Sequence, residues 1–101
     1  MRELRFARKG SEAATALVVF LHGYGADGAD LLGLADVLGP QLPGVAFVAP
    51  DAPERCAGGG FGYQWFPIPQ FDGSTEAQRQ AGIDASADDL NGFLDARLLE
   101  A

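Results

Sequence analysis

A histidine followed by closely spaced glycines is the segment of this sequence most suited to chemistry. Residues 22–28 read His-Gly-Tyr-Gly-Ala-Asp-Gly, and they follow a short, strongly apolar run. Gly23 and Gly25 allow the backbone to turn sharply on both sides of Tyr24. A backbone amide held rigidly in this way can stabilise negative charge that develops on a substrate oxygen. The group of interest is therefore the N–H of Tyr24, not its ring, with His22, Gly23 and Gly25 shaping the loop.

The same glycines also fit the G-x-G-x-x-G pattern of dinucleotide-binding proteins over residues 23–28. Asp51 ends the next apolar run, about where an acid that binds ribose is expected. Against this alternative, the helical pattern starts near Asp30 and not inside the glycine run, where a pyrophosphate would meet the helix N-terminus. Asp27 and Asp30 would also repel the phosphates. A dinucleotide-binding module therefore remains the less favoured alternative.

Nucleophilic side chains are few. The three serines, Ser11, Ser74 and Ser86, all lie outside a G-x-S-x-G elbow, and Ser86 is predicted to lie at the surface or to pack a helix. His22 is predicted to be structural, with its hydrogen bonds inside the glycine loop. Cys56 is interpreted as a buried or incidental thiol. One histidine and one cysteine give no recognised metal-ligand spacing, so we expect no metal.

The elements that must position the loop alternate between strand and helix in the first half of the chain. Residues 3–8 alternate polar and apolar and predict an edge strand. Residues 16–21 are apolar on both faces and predict a strand in the middle of a sheet. A helix is predicted from a cap at Asp30 to Gly39-Pro40, and a buried strand over residues 45–49. This order predicts a parallel crossover connection.

The second half is a long loop followed by a long helix. Residues 51–74 show no hydrophobic periodicity and carry an aromatic cluster. The cluster either anchors the loop on the core or, as we favour, lines a substrate groove. Its members are Phe61, Tyr63, Trp65, Phe66 and Phe71. Thr75 and Gln78 fit a capping box for a helix over residues 75–99. Its predicted buried stripe is Ile83, Ala87, Leu90, Leu94 and Leu98, and its predicted solvated acids include Asp84, Asp88 and Asp95.

Charge and composition exclude several classes of partner. The 101 residues carry 14 acidic and 7 basic side chains, for a net charge of −7. Binding to nucleic acid or to an anionic membrane surface requires the opposite balance. The longest apolar run, residues 16–21, is too short for stable insertion into a bilayer. A lone cysteine suits a reducing compartment, so we expect a cytoplasmic protein, and the abundance of Ala, Gly and Asp suggests a bacterial source.

Three segments in order resemble the phospholipase/carboxylesterase family of α/β-hydrolases, which includes bacterial carboxylesterases and acyl-protein thioesterases. They are residues 19–28, residues 47–53 and the Gln64-Trp65-Phe66 run, and the resemblance extends from about Leu17 through the long helix. It implies an α/β fold with a mostly parallel sheet and flanking helices. It also implies hydrolysis of a small-molecule ester or thioester by a serine carboxylesterase with a Ser-His-Asp triad and no cofactor. Tyr24 matches the oxyanion-hole donor, and Trp65 and Phe66 match the border of the acyl groove.

The resemblance implies that residues 1–101 form the amino-terminal part of a single α/β-hydrolase domain, incomplete as given. In this fold the triad follows in the order Ser, Asp or Glu, His, so all three members are expected beyond Ala101. We expect the isolated chain to be inactive, to need the remainder of its domain, and to fold poorly or associate through an exposed strand edge. The sequence leaves open a homodimer, and a non-catalytic fragment that retains only this part of the family.

Overall fold

A three-stranded sheet is the frame of the protein in the computed structural model, which describes residues 2–10, 13–56 and 62–99. The strands are β1 (Phe6–Gly10), β2 (Ala16–Val19) and β3 (Val45–Pro50), in the order β1-β3-β2. Ser11, which was rejected as a nucleophile, and Phe61, which was predicted to belong to the aromatic cluster, lie outside the described residues. Since β3 is the strand to which both others pair, it carries the most deeply buried side chains, Phe47, Val48 and Pro50.

The pairing confirms the parallel connection but corrects the place of the second strand. β2 runs parallel to β3, and β1 runs antiparallel to it, so the sheet is mixed. The first strand is at an edge, as predicted, although it begins three residues later and ends two residues later than the prediction. The prediction that residues 16–21 lie in the middle of the sheet is wrong for the described part of the chain. There β2 is the opposite edge, ends at Val19 and is only half-buried, because β3 alone flanks it.

Two short helices, α1 (Gly28–Leu32) and α2 (Leu34–Leu38), cover one face of the sheet and end in a 3-10 turn at Gly39–Gln41. Leu32 and Ala35 pack with Phe47 and Ala49 of β3. The predicted helix start at Asp30 is wrong, because α1 begins at Gly28. The cap is Asp27, whose Oδ1 accepts a hydrogen bond from the Asp30 amide at 3.0 Å.

The long helix α4 (Glu76–Leu99) covers the other face, where Phe93 packs with Leu4 and Val48. The predicted stripe is partly wrong. Leu90 and Leu94 do pack on this core, whereas Ala87 and Leu98 are exposed. The helix positions that are fully buried are 86, 89 and 93, which share a face at i, i+3 and i+7. Two of them are polar, and this concealed the face from a hydropathy pattern.

Asp89 is the buried charge on that face, and its partner comes from the chain's start. It is 2% exposed, and it accepts hydrogen bonds from the Arg2 amide at 2.7 Å and from Arg2 Nε at 2.8 Å. Burial alone would lower the pKa of Arg2, but the carboxylates of Asp89 and Glu54 outweigh it and raise the pKa above its usual value. The acids predicted to be solvated, Asp84, Asp88 and Asp95, are exposed.

The segment predicted to be irregular contains three short elements. β4 (Glu54–Arg55) pairs antiparallel with β5 (Tyr63–Gln64), and α3 spans Pro69–Asp72. Strands of two residues are too short to leave a period in the sequence, which is why the prediction missed them. Among the described residues, none of the helices combines the length and the apolar character that crossing a membrane requires.

The start of α4 carries a reciprocal capping box, as predicted. Thr75 Oγ1 accepts from the Gln78 amide at 3.1 Å, and Gln78 Oε1 accepts from the Thr75 amide at 2.8 Å. Two amides that the helix itself cannot pair are thereby satisfied.

We predict that Thr75→Ala lowers the free energy of unfolding by about 1 kcal/mol, because one of these amides loses its acceptor. Thr75→Ser keeps the hydroxyl, so the decrease in its free energy of unfolding is expected to be less than half of that in Thr75→Ala. Urea unfolding followed by circular dichroism measures both. Equal stability of the alanine variant and the wild type would show that the box contributes nothing.

Candidate functional site

The glycine loop, residues 22–28, is joined to β5 by a two-way backbone pairing. The Gly25 amide donates to Tyr63 O at 3.0 Å, and the Tyr63 amide donates to Ala26 O at 2.9 Å. Gly25 has a φ of +82°, which suits glycine and strains other residues. Gly62 lies so close that a Cβ atom there would stand 2.3 Å from Gly25 O. The loop and β5 thus fix each other's backbone.

His22, the first residue of the loop, is hydrogen-bonded to the segment that follows β3. Its side chain is buried, and its Nε2 accepts a hydrogen bond from the Ala52 amide at 3.0 Å. A nitrogen that accepts from a backbone N–H carries no proton, so in the neutral ring the proton is on Nδ1. Nδ1 lies 2.7 Å from Gly23 O and donates to it. The imidazole therefore links the segment that follows β3 to the peptide group between Gly23 and Tyr24.

That peptide group joins Gly23 to Tyr24, and its orientation is fixed from the carbonyl side. Gly23 O accepts from His22 Nδ1 and also from the Ala26 amide at 3.2 Å. The described chain has no cis peptide bond, so the C=O of Gly23 and the N–H of Tyr24 point in opposite directions. The Tyr24 N–H is thereby directed away from the His22 ring. The amides of Gly25 and Ala26 are used for bonds within the chain.

Trp65 reaches the loop from the other side. Its indole Nε1 donates to His22 O at 2.9 Å, and the two rings lie 5.3 Å apart at 32°. The carbonyl of Trp65 in turn accepts a hydrogen bond from the Ser86 hydroxyl on α4. This role of Ser86 was not predicted beyond helix packing, since a single serine within a helix gives no signal of its partner.

The other aromatic side chains are divided between two places. Phe66 lies against α4, with its ring 5.7 Å from the Arg79 guanidinium and its Cβ 3.0 Å from where a Cβ on Gly82 would stand. Phe71 of α3 is largely exposed, and its ring centroid is 5.5 Å from that of Tyr24. The structure thus brings Trp65 to the glycine loop, but it gives Phe66 contacts with α4.

Asp72 holds α3 in place beside this aromatic pair. Hydrogen bonds from Ser74, and then from the Ile68 amide at 3.1 Å, lower the pKa of Asp72 below its usual 3.8. A carboxylate with a lowered pKa contributes stability above its ordinary pKa, and the contribution disappears as the pH falls through the lowered value. The turn that carries Phe71 is therefore fully supported at neutral pH.

Among the described residues, the nucleophile and metal candidates lack the partners that catalysis requires. Ser86 donates to the Trp65 carbonyl and lies in a helix, not in a strand-to-helix turn. Cys56 is a buried free thiol. No three His, Cys, Asp or Glu side chains in this part of the chain come together as metal ligands. What the described site offers chemically is an oriented backbone donor.

Comparison with known proteins identifies the setting of this loop. The profile of the Phospholipase/Carboxylesterase family matches residues 4–101. The chain belongs to this family. It is 37% identical over 76 residues to acyl-protein thioesterase 1 of Yarrowia lipolytica, an alignment that covers 70% of this chain and 34% of that protein.

Solved structures give the same fold. The crystal structure of esterase PE8 superposes on this chain with a TM-score of 0.81 and 35% sequence identity. The match covers 98% of this chain and 46% of the esterase PE8 chain. The crystal structure of Zea mays acyl-protein thioesterase 2 superposes with a TM-score of 0.65 and 29% sequence identity. That match covers 90% of this chain and 40% of the thioesterase chain. The chain therefore has part of an α/β-hydrolase fold and spans less than half the length of these relatives.

In this family member the dinucleotide alternative is disfavoured by the carboxylates at the start of α1. Asp51 Oδ1 accepts from the Gly28 amide at 2.8 Å, and Asp27 accepts from the Asp30 amide. One sequence argument against a nucleotide was wrong, since α1 does begin inside the glycine run. The charge argument holds, because two amides that would bind a pyrophosphate already bind carboxylates. The third glycine has a packing role: a Cβ on Gly28 would stand 2.4 Å from Ala49 O.

We predict that Asp51→Ala lowers the free energy of unfolding by about 1–3 kcal/mol, because the buried Gly28 amide loses its acceptor. Asp51→Asn keeps an oxygen at this position and is expected to lose less. Asp95→Ala, at an exposed position of α4, is the control and should remain within about 0.5 kcal/mol of the wild type. Chemical denaturation compares the three. An Asp51→Ala variant no less stable than the control would contradict the assignment.

Proposed function

We propose that the protein hydrolyses carboxylic esters or thioesters and that this chain supplies the Tyr24 N–H as one donor of its oxyanion hole. The observation that carries the proposal is the fixed Gly23–Tyr24 peptide group, whose carbonyl is bound by His22 Nδ1 and by the Ala26 amide. An oxyanion donor must be oriented before the charge develops, because reorientation during the reaction would cost free energy.

In the proposed reaction a serine hydroxyl attacks the acyl carbonyl carbon, and a histidine takes its proton. The carbonyl oxygen becomes negative in the tetrahedral intermediate and is stabilised by the Tyr24 N–H together with the amide after the nucleophile. Collapse of the intermediate expels the alcohol or thiol, and water then releases the acid. Because no described serine is placed for this attack, the proposal assigns the Ser-His-Asp triad to residues beyond Ala101, in the same single domain.

The substrate class follows from the relatives, which are named as an esterase and as acyl-protein thioesterases. The proposed substrate is thus a small ester or thioester, and no cofactor takes part. The paired rings of Tyr24 and Phe71 lie beside the donor and offer apolar surface for an acyl group. Trp65 and Phe66 belong to the proposed border of this groove. A cytoplasmic location in a bacterium is part of the same proposal, supported by the lone cysteine and by the abundance of Ala, Gly and Asp.

A fluorophosphonate probe tests the reaction class. The protein purified from its source is expected to take one covalent label, at a mass well above the 10.6 kDa of this chain. The isolated 101-residue chain is expected to take none and to leave nitrophenyl acetate unhydrolysed. Labelling of the isolated chain would place the nucleophile within these residues and contradict the mechanism.

Substitution at Tyr24 tests the donor itself. Tyr24→Pro removes the N–H and should lower kcat of the complete enzyme by about 10²–10³-fold, as expected for loss of one oxyanion-hole donor. Tyr24→Phe and Tyr24→Ala keep the amide, so kcat should fall much less in these variants. Comparison of the two distinguishes the contribution of the hydroxyl to kcat from that of the ring.

Steady-state kinetics on a short nitrophenyl ester provide the measurement, with circular dichroism to show that each variant is folded. A folded Tyr24→Pro enzyme with the kcat of Tyr24→Ala would exclude the amide as the donor.

A further inference from the structure

Four hydrogen-bonded groups connect the buried face of α4 to the oxyanion donor. The Ser86 hydroxyl donates to the Trp65 carbonyl, the Trp65 indole donates to the His22 carbonyl, and the His22 imidazole donates to the Gly23 carbonyl. Gly23 O and the Tyr24 N–H belong to one planar peptide group. A displacement at Ser86 therefore has a continuous route to the donor.

We propose that Trp65 and Ser86 are positioning residues of the oxyanion hole, with Ser86 acting through Trp65. This inference rests on the proposed function, because it assumes that the Tyr24 amide binds the developing oxyanion. It gives Trp65 a role in addition to bordering the acyl groove, since the indole N–H donates to the backbone of the loop.

Burial supports the role of Ser86. It is 4% exposed, so it has no route to a substrate of its own. A buried hydroxyl on a helix usually bonds to a carbonyl of its own preceding turn, whereas Ser86 donates to a carbonyl 21 residues away. Its bond therefore fixes where the loop that carries Trp65 rests on α4.

Packing around this contact leaves little freedom for the loop to move. One turn before Ser86, Gly82 lets the helix approach so closely that a Cβ there would stand 2.7 Å from Pro67 Cδ and 3.2 Å from Phe66 Cα. The indole of Trp65 packs on the core formed by Leu4, Val48 and Phe93. The donor nitrogen of Trp65 is consequently held by helix, core and hydrogen bond together.

The bonds in this series are joined through the covalent frames of Trp65 and His22, so each bond fixes the position of the residue that makes the next one. All three side-chain donors point along the series toward the loop. Loss of one bond near α4 is therefore expected to loosen the Gly23–Tyr24 peptide group without removing any group that touches the substrate.

The test uses the complete enzyme with Trp65→Phe, Ser86→Ala and the double variant. Trp65→Phe keeps the aromatic ring and loses only the indole donor, while Ser86→Ala loses the hydroxyl. We expect kcat on a short nitrophenyl ester to fall about tenfold in each single variant, comparable to the loss of one hydrogen bond in the transition state, with KM within about twofold. The double variant should match Trp65→Phe, because Ser86 acts through the indole.

Two further variants supply the controls. Ser86→Thr keeps a hydroxyl at the same place and should keep most of kcat. Ala87→Ser makes the reverse exchange at the next, exposed position of α4 and should leave kcat and KM unchanged. A boronic acid that mimics the tetrahedral intermediate should bind more weakly to Trp65→Phe and Ser86→Ala by the factor by which kcat/KM falls.

A readout that does not depend on activity is available, because Trp65 is the sole tryptophan of this chain. With isotope-labelled tryptophan confined to this segment of the complete enzyme, NMR can follow hydrogen exchange at the Trp65 indole N–H. We expect this exchange to be slow in the wild type and faster in Ser86→Ala. A rise in KM at constant kcat would show that Trp65 only lines the groove, and a lower melting temperature with unchanged kinetics would show a purely structural role. Either result overturns the inference. A wild-type enzyme with a protected indole but no turnover would instead overturn the proposed function.

Discussion

The arrangement depends on the orientation of one peptide group, the one that joins Gly23 to Tyr24. A backbone amide can stabilise a developing oxyanion only if it is already oriented, and Gly23, on the carbonyl side of this group, restricts the orientation of the group less than any other residue would. The structure removes that freedom with two hydrogen bonds to the carbonyl, from His22 and from Ala26. The glycines that permit the turn therefore require neighbouring groups to hold it, and the bonds from His22 and Ala26 do so.

Parallel pairing explains why those contacts are available. β2 and β3 run in the same direction, so their carboxyl ends lie at one edge of the sheet. His22 follows β2 and Ala52 follows β3, so both residues lie at this edge, where the Ala52 amide donates to the imidazole. The return of the chain through β5 then adds the bonds to Gly25 and Ala26. The deeply buried centre of β3 anchors the arrangement, since α1 and α2 cover one of its faces and α4 covers the other.

Predictions from sequence succeeded where a feature was long or local. The buried strand at residues 45–49, the Thr75–Gln78 box and the family itself follow from such features. They failed where a feature depended on distant residues. The edge position of β2 is a property of the sheet, not of its apolar residues. Ser86 was predicted to be at the surface or to pack a helix, but its partner Trp65 was not predictable, and Asp89 looks like a solvated helix position until Arg2 is placed against it. The site's backbone geometry was likewise beyond prediction, because a loop's hydrogen bonds are set by what packs around it.

The ambiguity of the glycine run shows why spacing alone could not decide the function. G-x-G-x-x-G over residues 23–28 is compatible with two kinds of anion site, one on a helix N-terminus and one on a turn before the helix. The helix site needs unpaired amides and no nearby negative charge. Here Asp51 and Asp27 bind the amides at the start of α1, so that terminus is already neutralised. The same two carboxylates fix the far end of the loop, while the proposed anion donor, the Tyr24 amide, lies at the turn near its start. Acidic residues beside a glycine loop therefore argue against a phosphate at the helix and are compatible with a transient oxyanion at the turn.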